Sequence, residues 1–564
     1  MTTDVRTSPP VLVVGAGPVG LALALDLAQR GVRSVVLERG TAQSALMPAK
    51  AGTLNERTME LMRRWGLRDQ IVGWGCDDEY PRDTVYLTSL VGGHLVGRSA
   101  MPSAAERCES PGSPEILRKC PQFVLDPLLA AAATATGLVD LRHETRLVDV
   151  VDLGDHVVAE VVDGDGRHER LRADYLVGCD GAGSTVRRLM HIPFEGRTLD
   201  HSVTVVVEID ELERHHSHGK AERFLFLGPD GAWSNATSMD YDRIWRFTLL
   251  GFSEAPDLDT IDAAAQVRRA LGSDEIPFRI LGVVPWRRSQ CAARTFDHGR
   301  VLLAGDAAHT TSPTGGHGLN TGLGDVSDLG WMLAACLEGW GGPGLLHAYT
   351  QERRPVAVRN STLSSRNYEQ WVEPLDYSQI LASGAEADAA RRTVGDRLVT
   401  SLHGEFNSQG VGLGFRYEGS PIVVPDGTPE PPDEVSTFVS TDRPGHRAPH
   451  AYLEDGRSTL DLFGEGFVLL RLGPRPPDAR ALVVAAASGG VPLTVIHIDE
   501  PSVARAYSRA LVLVRPDGHV AWRGDVAPDL DDAAAIIDTV RGARVDDRRP
   551  STTQPLSRPT KEHA

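Results

Sequence analysis

The chain has 564 residues, 41% apolar and 24% charged, the make-up of a globular protein of about two to four domains. Its net charge of -18 argues against nucleic acid and anionic membrane surfaces as partners, since these need concentrated Lys and Arg. No apolar run approaches the roughly 18 residues of a membrane span, and the N-terminus MTTDVRTSPP lacks a signal-peptide core.

The six cysteines (76, 108, 120, 179, 291 and 336) contain no Cys-x-x-Cys pair, so neither a zinc site nor a redox dithiol is expected. Reduced thiols and a cytoplasmic location follow as expectations.

Taken in order, VLVVGAGPVG at 11–20 predicts a buried strand followed by Gly15, Gly17 and Gly20 in G-x-G-x-x-G spacing. An Ala/Leu-rich helix over 19–30 stops at Gly31, and Ser34–Leu37 predicts a second strand ending at Glu38. The first glycine permits a tight turn, the second lets backbone approach a pyrophosphate, and the third lets helix and strand pack. Glu38 stands where an acidic side chain meets a ribose hydroxyl. A purely structural βαβ turn is the plainer reading of the same pattern.

The second half of Met47–Leu67 predicts an amphipathic helix. Lys50 and Arg57 either reach phosphates or are solvated charges. Gln122 opens another helix, where its amide reaches a cofactor or merely caps. Residues 143–166 predict hairpin strands. LVGCDGAGSTVR at 176–187 repeats the strand–turn–helix device with Asp180 at the turn; it reads as a second anion contact or a plain βα turn.

Residues 198–286, joined by TVYLTSL at 84–90, predict an antiparallel sheet rich in aromatics: Phe224, Phe226, Trp233, Trp245 and Phe247. Which of these face core and which face a pocket is not legible. His215, His216 and His218 read as an exposed loop rather than a metal site. VLLAGDAAHTTSPTGGHGLNTGLGD at 301–325 predicts a strand, one presented carboxylate (Asp306), a glycine-rich turn and a helix from near Asn320. The N–H groups of that helix start attract negative charge. Residues 343–371 read as helical and 421–449 as a Pro/Asp/Gly linker. Residues 451–542 read as a separate cysteine-free α/β unit, and the polar tail as disordered.

Three segments in this order, GAGPVG, LVGCDGAGSTVR and GDAAHTTSPTGGHGLNTGLGD, resemble the single-component FAD-dependent aromatic hydroxylases, the group A flavoprotein monooxygenases. The likeness is to the phenol and aromatic polyketide hydroxylase type with a C-terminal thioredoxin-like domain. It implies an α/β fold: a Rossmann-like FAD-binding domain, an inserted antiparallel-sheet substrate domain and the thioredoxin-like domain. The implied boundaries are 1–83, 106–197 and 287–400 for FAD binding, and 84–105 with 198–286 for substrate. A linker at 401–449, the thioredoxin-like domain at 450–545 and a tail at 546–564 complete the chain.

Position by position, the resemblance gives Gly15, Gly17 and Gly20 the FAD pyrophosphate, and Glu38 with Arg39 the adenosine ribose. Asp306 takes the ribityl chain. Pro313 and Gly316 wall the flavin ring, and Gly318, Leu319 and Asn320 donate N–H groups to its pyrimidine end. Asp180 belongs to a motif shared between FAD and NAD(P)H. Gln122, preceded by Arg118, resembles the family's flavin-contacting Gln, and Lys50 stands where many relatives have Arg. Gly52 stands where phenol-specific relatives place His or Asp, so no substrate base is carried over. His309 is an acid–base group or, more simply, a structural hydrogen bond.

The implied reaction uses NADPH or NADH and O2 to hydroxylate a small aromatic substrate through a C4a-hydroperoxyflavin. Baeyer–Villiger or other oxygenation of a polyketide shares the scaffold. A flavin-binding redox or interaction protein is the reading from another class. A homodimer is left open.

Overall fold

A computed structural model describes residues 9–43, 50, 52–107 and 112–544. The disorder expected over 546–564 lies outside the described residues.

The central sheet has six strands in the order Asp297–His298, Val301–Leu303, Tyr175–Gly178, Val11–Val14, Ser34–Leu37, Val139–Arg142. All pair in parallel except Asp297–His298. VLVV and VLL are buried at every position because helices or other strands cover both faces, hence their unbroken apolar sequence. In a parallel sheet the strands share one carboxyl edge. The three glycine turns therefore gather there, each feeding a helix: Pro18–Gln29, Thr185–Leu189 and His317–Glu338.

The third helix starts at His317, not near Asn320 as the apolar period suggests. Gly316, at φ 69°, turns the chain into it. The period resumes late because Gly318, Leu319 and Asn320 are only partly buried, and of the three only Leu319 packs against the core.

A second sheet has eight strands, ordered His309–Thr310, Arg279–Ala293, Phe194–Glu208, Ile244–Phe252, Gly231–Ser238, Arg223–Gly228, Thr84–Leu87, Leu95–Ser99. Only Thr84–Leu87 with Arg223–Gly228 is parallel. Its two 15-residue strands, Phe194–Glu208 and Arg279–Ala293, run past the boundaries expected at 198 and 286. They pair along almost their whole length and so carry the sheet into the nucleotide fold. One face packs against the helix Ala263–Leu271, and Phe224, Phe226, Trp245 and Phe247 all lie in that core. Alternation puts Thr204, Arg223, Asn235, Thr237, Arg246 and Thr248 on the other face.

The C-terminal unit has a four-stranded sheet ordered Leu493–Ile498, Phe467–Leu472, Leu511–Val514, Val520–Gly524, the first pair parallel and the rest antiparallel. Its ALVVAAA run is helical, within Arg480–Ser488. The segment at 401–449 is no free tether. It forms the helices His403–Phe406 and Gln409–Leu413 and buries Tyr417, Ile422 and Arg447.

Candidate active site

The three carboxyl-edge turns differ in a way the motifs do not reveal. Gly15 has φ 105°, and a methyl there would lie 2.5 Å from the Cys179 carbonyl oxygen. One on Gly20 would lie 2.0 Å from the Gly15 oxygen. Gly17 has nothing within 4 Å and caps the first helix with no side-chain hydrogen bond. Two glycines thus allow close packing, while the middle one leaves a helix N-terminus open to an anion. Glu38 is held beside it, accepting from the Ala16 and Gly40 N–H groups at 2.9 and 2.7 Å. Arg39 is exposed.

The second turn is closed. Asp180 accepts from the Thr185 and Val186 N–H groups at 2.6 and 3.1 Å and from the Ser184 hydroxyl at 2.5 Å. Ser184 in turn accepts from the Arg187 N–H at 3.0 Å. The donors of this helix start are already used. Arg187 donates to the Ala182 and Ala307 carbonyls, both at 2.8 Å, and fastens the second turn to the third.

The third turn is open. Asp306 and Pro313 are exposed, and Gly316 caps the long helix without a side-chain hydrogen bond. The Asp306 carboxyl meets solvent, yet the protein crowded around it raises its pKa, with His309 and Lys50 pulling the other way. Gly305 donates its N–H to Asp325 at 3.0 Å, and His309 Nε2 lies 2.7 Å from the same oxygen. His309 and Asp325 are wholly buried, so the histidine is a structural partner of this turn. Asn320 uses its side chain to hold the segment before the helix Glu56–Arg64. It accepts from the Asn55 N–H at 3.0 Å and donates to the Thr53 carbonyl at 3.1 Å.

Lys50 is exposed. Its carbonyl accepts from Arg246 at 3.0 Å. Gln122 is buried and donates to Asp126 at 3.0 Å, while the other Asp126 oxygen is buried without a partner. Burial pushes Asp126 up to about 7, against the pull of Gln122 and Lys50. Arg118 is turned to both oxygens of Asp78, at 2.6 and 2.7 Å.

The second sheet contributes Arg223, Arg246 and Arg288, and Lys119 joins them from the short strand Arg118–Lys119, which pairs with Thr53–Leu54; Lys119 and Arg288 are buried and the other two half-buried. Lys119 donates to Glu222 at 3.1 Å and to the Ser238 carbonyl at 2.7 Å. Burial alone would raise Glu222, but Lys119, Arg82 and Arg223 hold it well below the carboxylate range. Arg288 pairs with Asp200 at 3.0 Å, and Arg223 with Glu405 at 3.5 Å. Arg246 has no carboxylate within ion-pair range among the described residues, and its Nε is buried without a partner. Burial and the neighbouring Arg223 and Arg288 charges push it down to about 10. A methyl on Gly52 would lie 3.7 Å from the Lys119 ammonium, so that ammonium lies close to the position where relatives carry a base.

Lys119, Asp126, Arg246, Arg288 and Asp325 were not singled out from sequence. The only signal was the alternation in RIWRFTLL, which sets Arg246 and Thr248 opposite Trp245 and Phe247. Among the described residues no helix is long and apolar enough to cross a membrane.

Two open helix starts, one presented carboxylate and a glycine-lined edge are the features of a dinucleotide site, and the polar face of the second sheet reaches it where Arg246 bonds the Lys50 carbonyl. Residues 8–364 match the FAD binding domain family, and residues 441–543 match the C-terminal domain of aromatic-ring hydroxylases. Tetracenomycin B2 monooxygenase-dioxygenase of Streptomyces olivaceus is 32% identical, covering 95% of this chain and 98% of that protein. Aklavinone 12-hydroxylase RdmE of Streptomyces purpurascens is 32% identical over 94% and 97%. The structure of RebC with bound 7-carboxy-K252c superposes with a TM-score of 0.87 at 38% identity, over 95% of this chain and 99% of that one. The chain belongs to the group A FAD-dependent aromatic hydroxylases. It is a monooxygenase that uses NAD(P)H and O2 to hydroxylate a phenolic or polyketide aromatic ring.

Proposed function

We propose that the enzyme hydroxylates a polycyclic aromatic substrate bearing an acidic group, and that Arg246 receives that group. The observation that carries this is the half-buried Arg246 guanidinium, whose Nε is buried without a partner and which has no carboxylate within ion-pair range among the described residues. A desolvated cation of this kind favours an anionic ligand, and guanidinium–carboxylate bonds are strong and geometrically specific. RebC, similar over nearly its whole length, was solved with 7-carboxy-K252c bound. Lys119, beside Gly52, offers a second positive group to a substrate oxygen.

In this reading Gly15, Gly17 and Gly20 hold the FAD pyrophosphate, Glu38 and Arg39 the adenosine ribose, and Asp306 the ribityl chain. Pro313, Gly316, Gly318, Leu319 and Asn320 surround the ring, with Lys50 and Gln122 at its near side. Asp180 serves chiefly as a helix cap. FAD, when bound, supplies the oxygen-transfer chemistry. The protein orients the ring, directs the N-terminus of His317–Glu338 at it, and excludes water. We place the enzyme in the cytoplasm, a reading supported by the free thiols of the described cysteines. A homodimer is compatible with the fold, and sedimentation tests it.

Substrate-stimulated NAD(P)H oxidation across paired acidic and neutral polycyclic phenols tests the substrate reading. Arg246→Met should raise KM for the acids by about tenfold or more and leave the neutral members unchanged. Equal response of both proteins to both sets would defeat it.

A further inference from the structure

The C-terminal domain holds no cysteine, so thiol chemistry does not account for it. Its hairpin turn Arg515–His519 is instead buried in the nucleotide fold, with Arg515 and His519 at 0% exposure. Arg515 donates to both oxygens of Glu352, at 2.5 and 2.9 Å, and also bonds Asp517. Trp331 Nε1 donates to Asp517 at 3.1 Å, and Arg57 donates to the Asp517 carbonyl at 2.6 Å. Tyr417, from the connecting segment, lies against His519 with ring centres 4.4 Å apart.

From Tyr417 the contacts continue to the flavin turn. The Tyr417 hydroxyl donates to Asp328 and accepts from Arg353 at 3.2 Å. Arg353 donates to Asp325 at 2.8 Å and to the Thr321 carbonyl at 3.0 Å. Asp325 receives the Gly305 N–H, one residue before Asp306. Asp328, Asp517 and His519 hold ligand-type atoms within 4.8 Å of one another. Both Asp517 oxygens already accept hydrogen bonds, from Arg515 and Trp331 on one side and the His519 N–H on the other. The trio belongs to this network rather than to a metal site.

We propose that the C-terminal domain sets the geometry of the Gly305–Asp306 turn, with Tyr417 as the link and Arg353 and Asp325 as positioning residues. The inference rests on the reading that Asp306 holds FAD. The hairpin meets Tyr417 by the ring contact with His519, and every link beyond it is a hydrogen bond between buried groups, so displacement at the hairpin is transmitted rather than absorbed by solvent. It gives the domain a role that needs no reactive group of its own.

The test is FAD binding and the visible circular dichroism of the bound flavin in Tyr417→Phe and Arg515→Met. Tyr417→Phe removes two hydrogen bonds at nearly constant volume and decides the matter if Arg515→Met does not fold. Expected are an FAD dissociation constant raised about three- to tenfold and an altered flavin dichroism. Wild-type affinity and dichroism with only a lowered melting temperature would overturn the coupling and leave the domain a brace. Asp306→Ala is measured beside them. If it binds FAD normally, the Asp306 reading fails and takes the inference with it. If it binds weakly while Tyr417→Phe binds normally, only the coupling fails.

Discussion

Arg515 and Glu352 form a two-point ion pair with neither side chain exposed to solvent, and it joins the C-terminal domain to the longest helix of the nucleotide fold. Burying two charges costs several kcal/mol, offset only when the geometry satisfies both. Here Arg515 also bonds Asp517, and Glu352 also accepts from Ser420. Glu352→Ala, which removes one partner, should destabilise by about 3–5 kcal/mol. Arg515→Met/Glu352→Met should cost less than the sum of its single changes, as chemical denaturation of the three variants would show. Additive losses would mean the pair does not act as a unit.

Asp306→Ala should weaken FAD retention by roughly tenfold or more, the worth of a hydrogen bond to a charged group. Gel filtration with absorbance at the flavin band checks this. Asp306→Asn should lose less, because the amide oxygen still accepts.

Gly322 faces Val19 and Gly305 where the first and third helices cross. A methyl there would lie 2.7 Å from Val19 and 3.1 Å from Gly305 Cα. Gly322→Ala should therefore cost about 1–3 kcal/mol as overpacking. It should also loosen FAD, since the displaced backbone is that of the Asp306 turn. Unchanged melting would show that the crossing yields freely.

Burial, then the Asp517 charge, pushes Asp328 up to about 8. A carboxyl whose folded pKa exceeds its unfolded value lends stability that is full below the unfolded pKa, near 4, and lost as pH rises through the folded value. Between about pH 4 and 8 this group makes the protein less stable with rising pH. Asp328→Asn keeps an acceptor for Tyr417 but cannot ionise. Its Tm should gain on the wild type as pH rises from 5 to 8, and a constant difference across that range would refute the assignment.

Much of the nucleotide fold was legible because its signals are local. VLVVGAGPVG needs only its own neighbours to make a strand, a turn and a helix, and so does VLLAGD. The apolar period places the start of the 317–338 helix too late because period marks packing, and the first turn offers one apolar side chain, Leu319, among His317, Gly318 and Asn320. The Asp180 turn looked like its two partners. Only the hydrogen bonds of Asp180 and Ser184 show that its donors are spent.

Sequence by itself determined the three turns, their order, the FAD-hydroxylase family and the absence of thiol chemistry in the last domain, all properties of contiguous residues. Tertiary structure alone decided which side chains meet. Arg246 has no ion-pair partner among the described residues; Glu222, the carboxylate whose charge acts on it, is taken by Lys119, and Asp200 and Glu405 pair with Arg288 and Arg223. Arg515 reaches Glu352 across 163 positions of chain. Such contacts depend on where distant segments cross, and no local spacing encodes that.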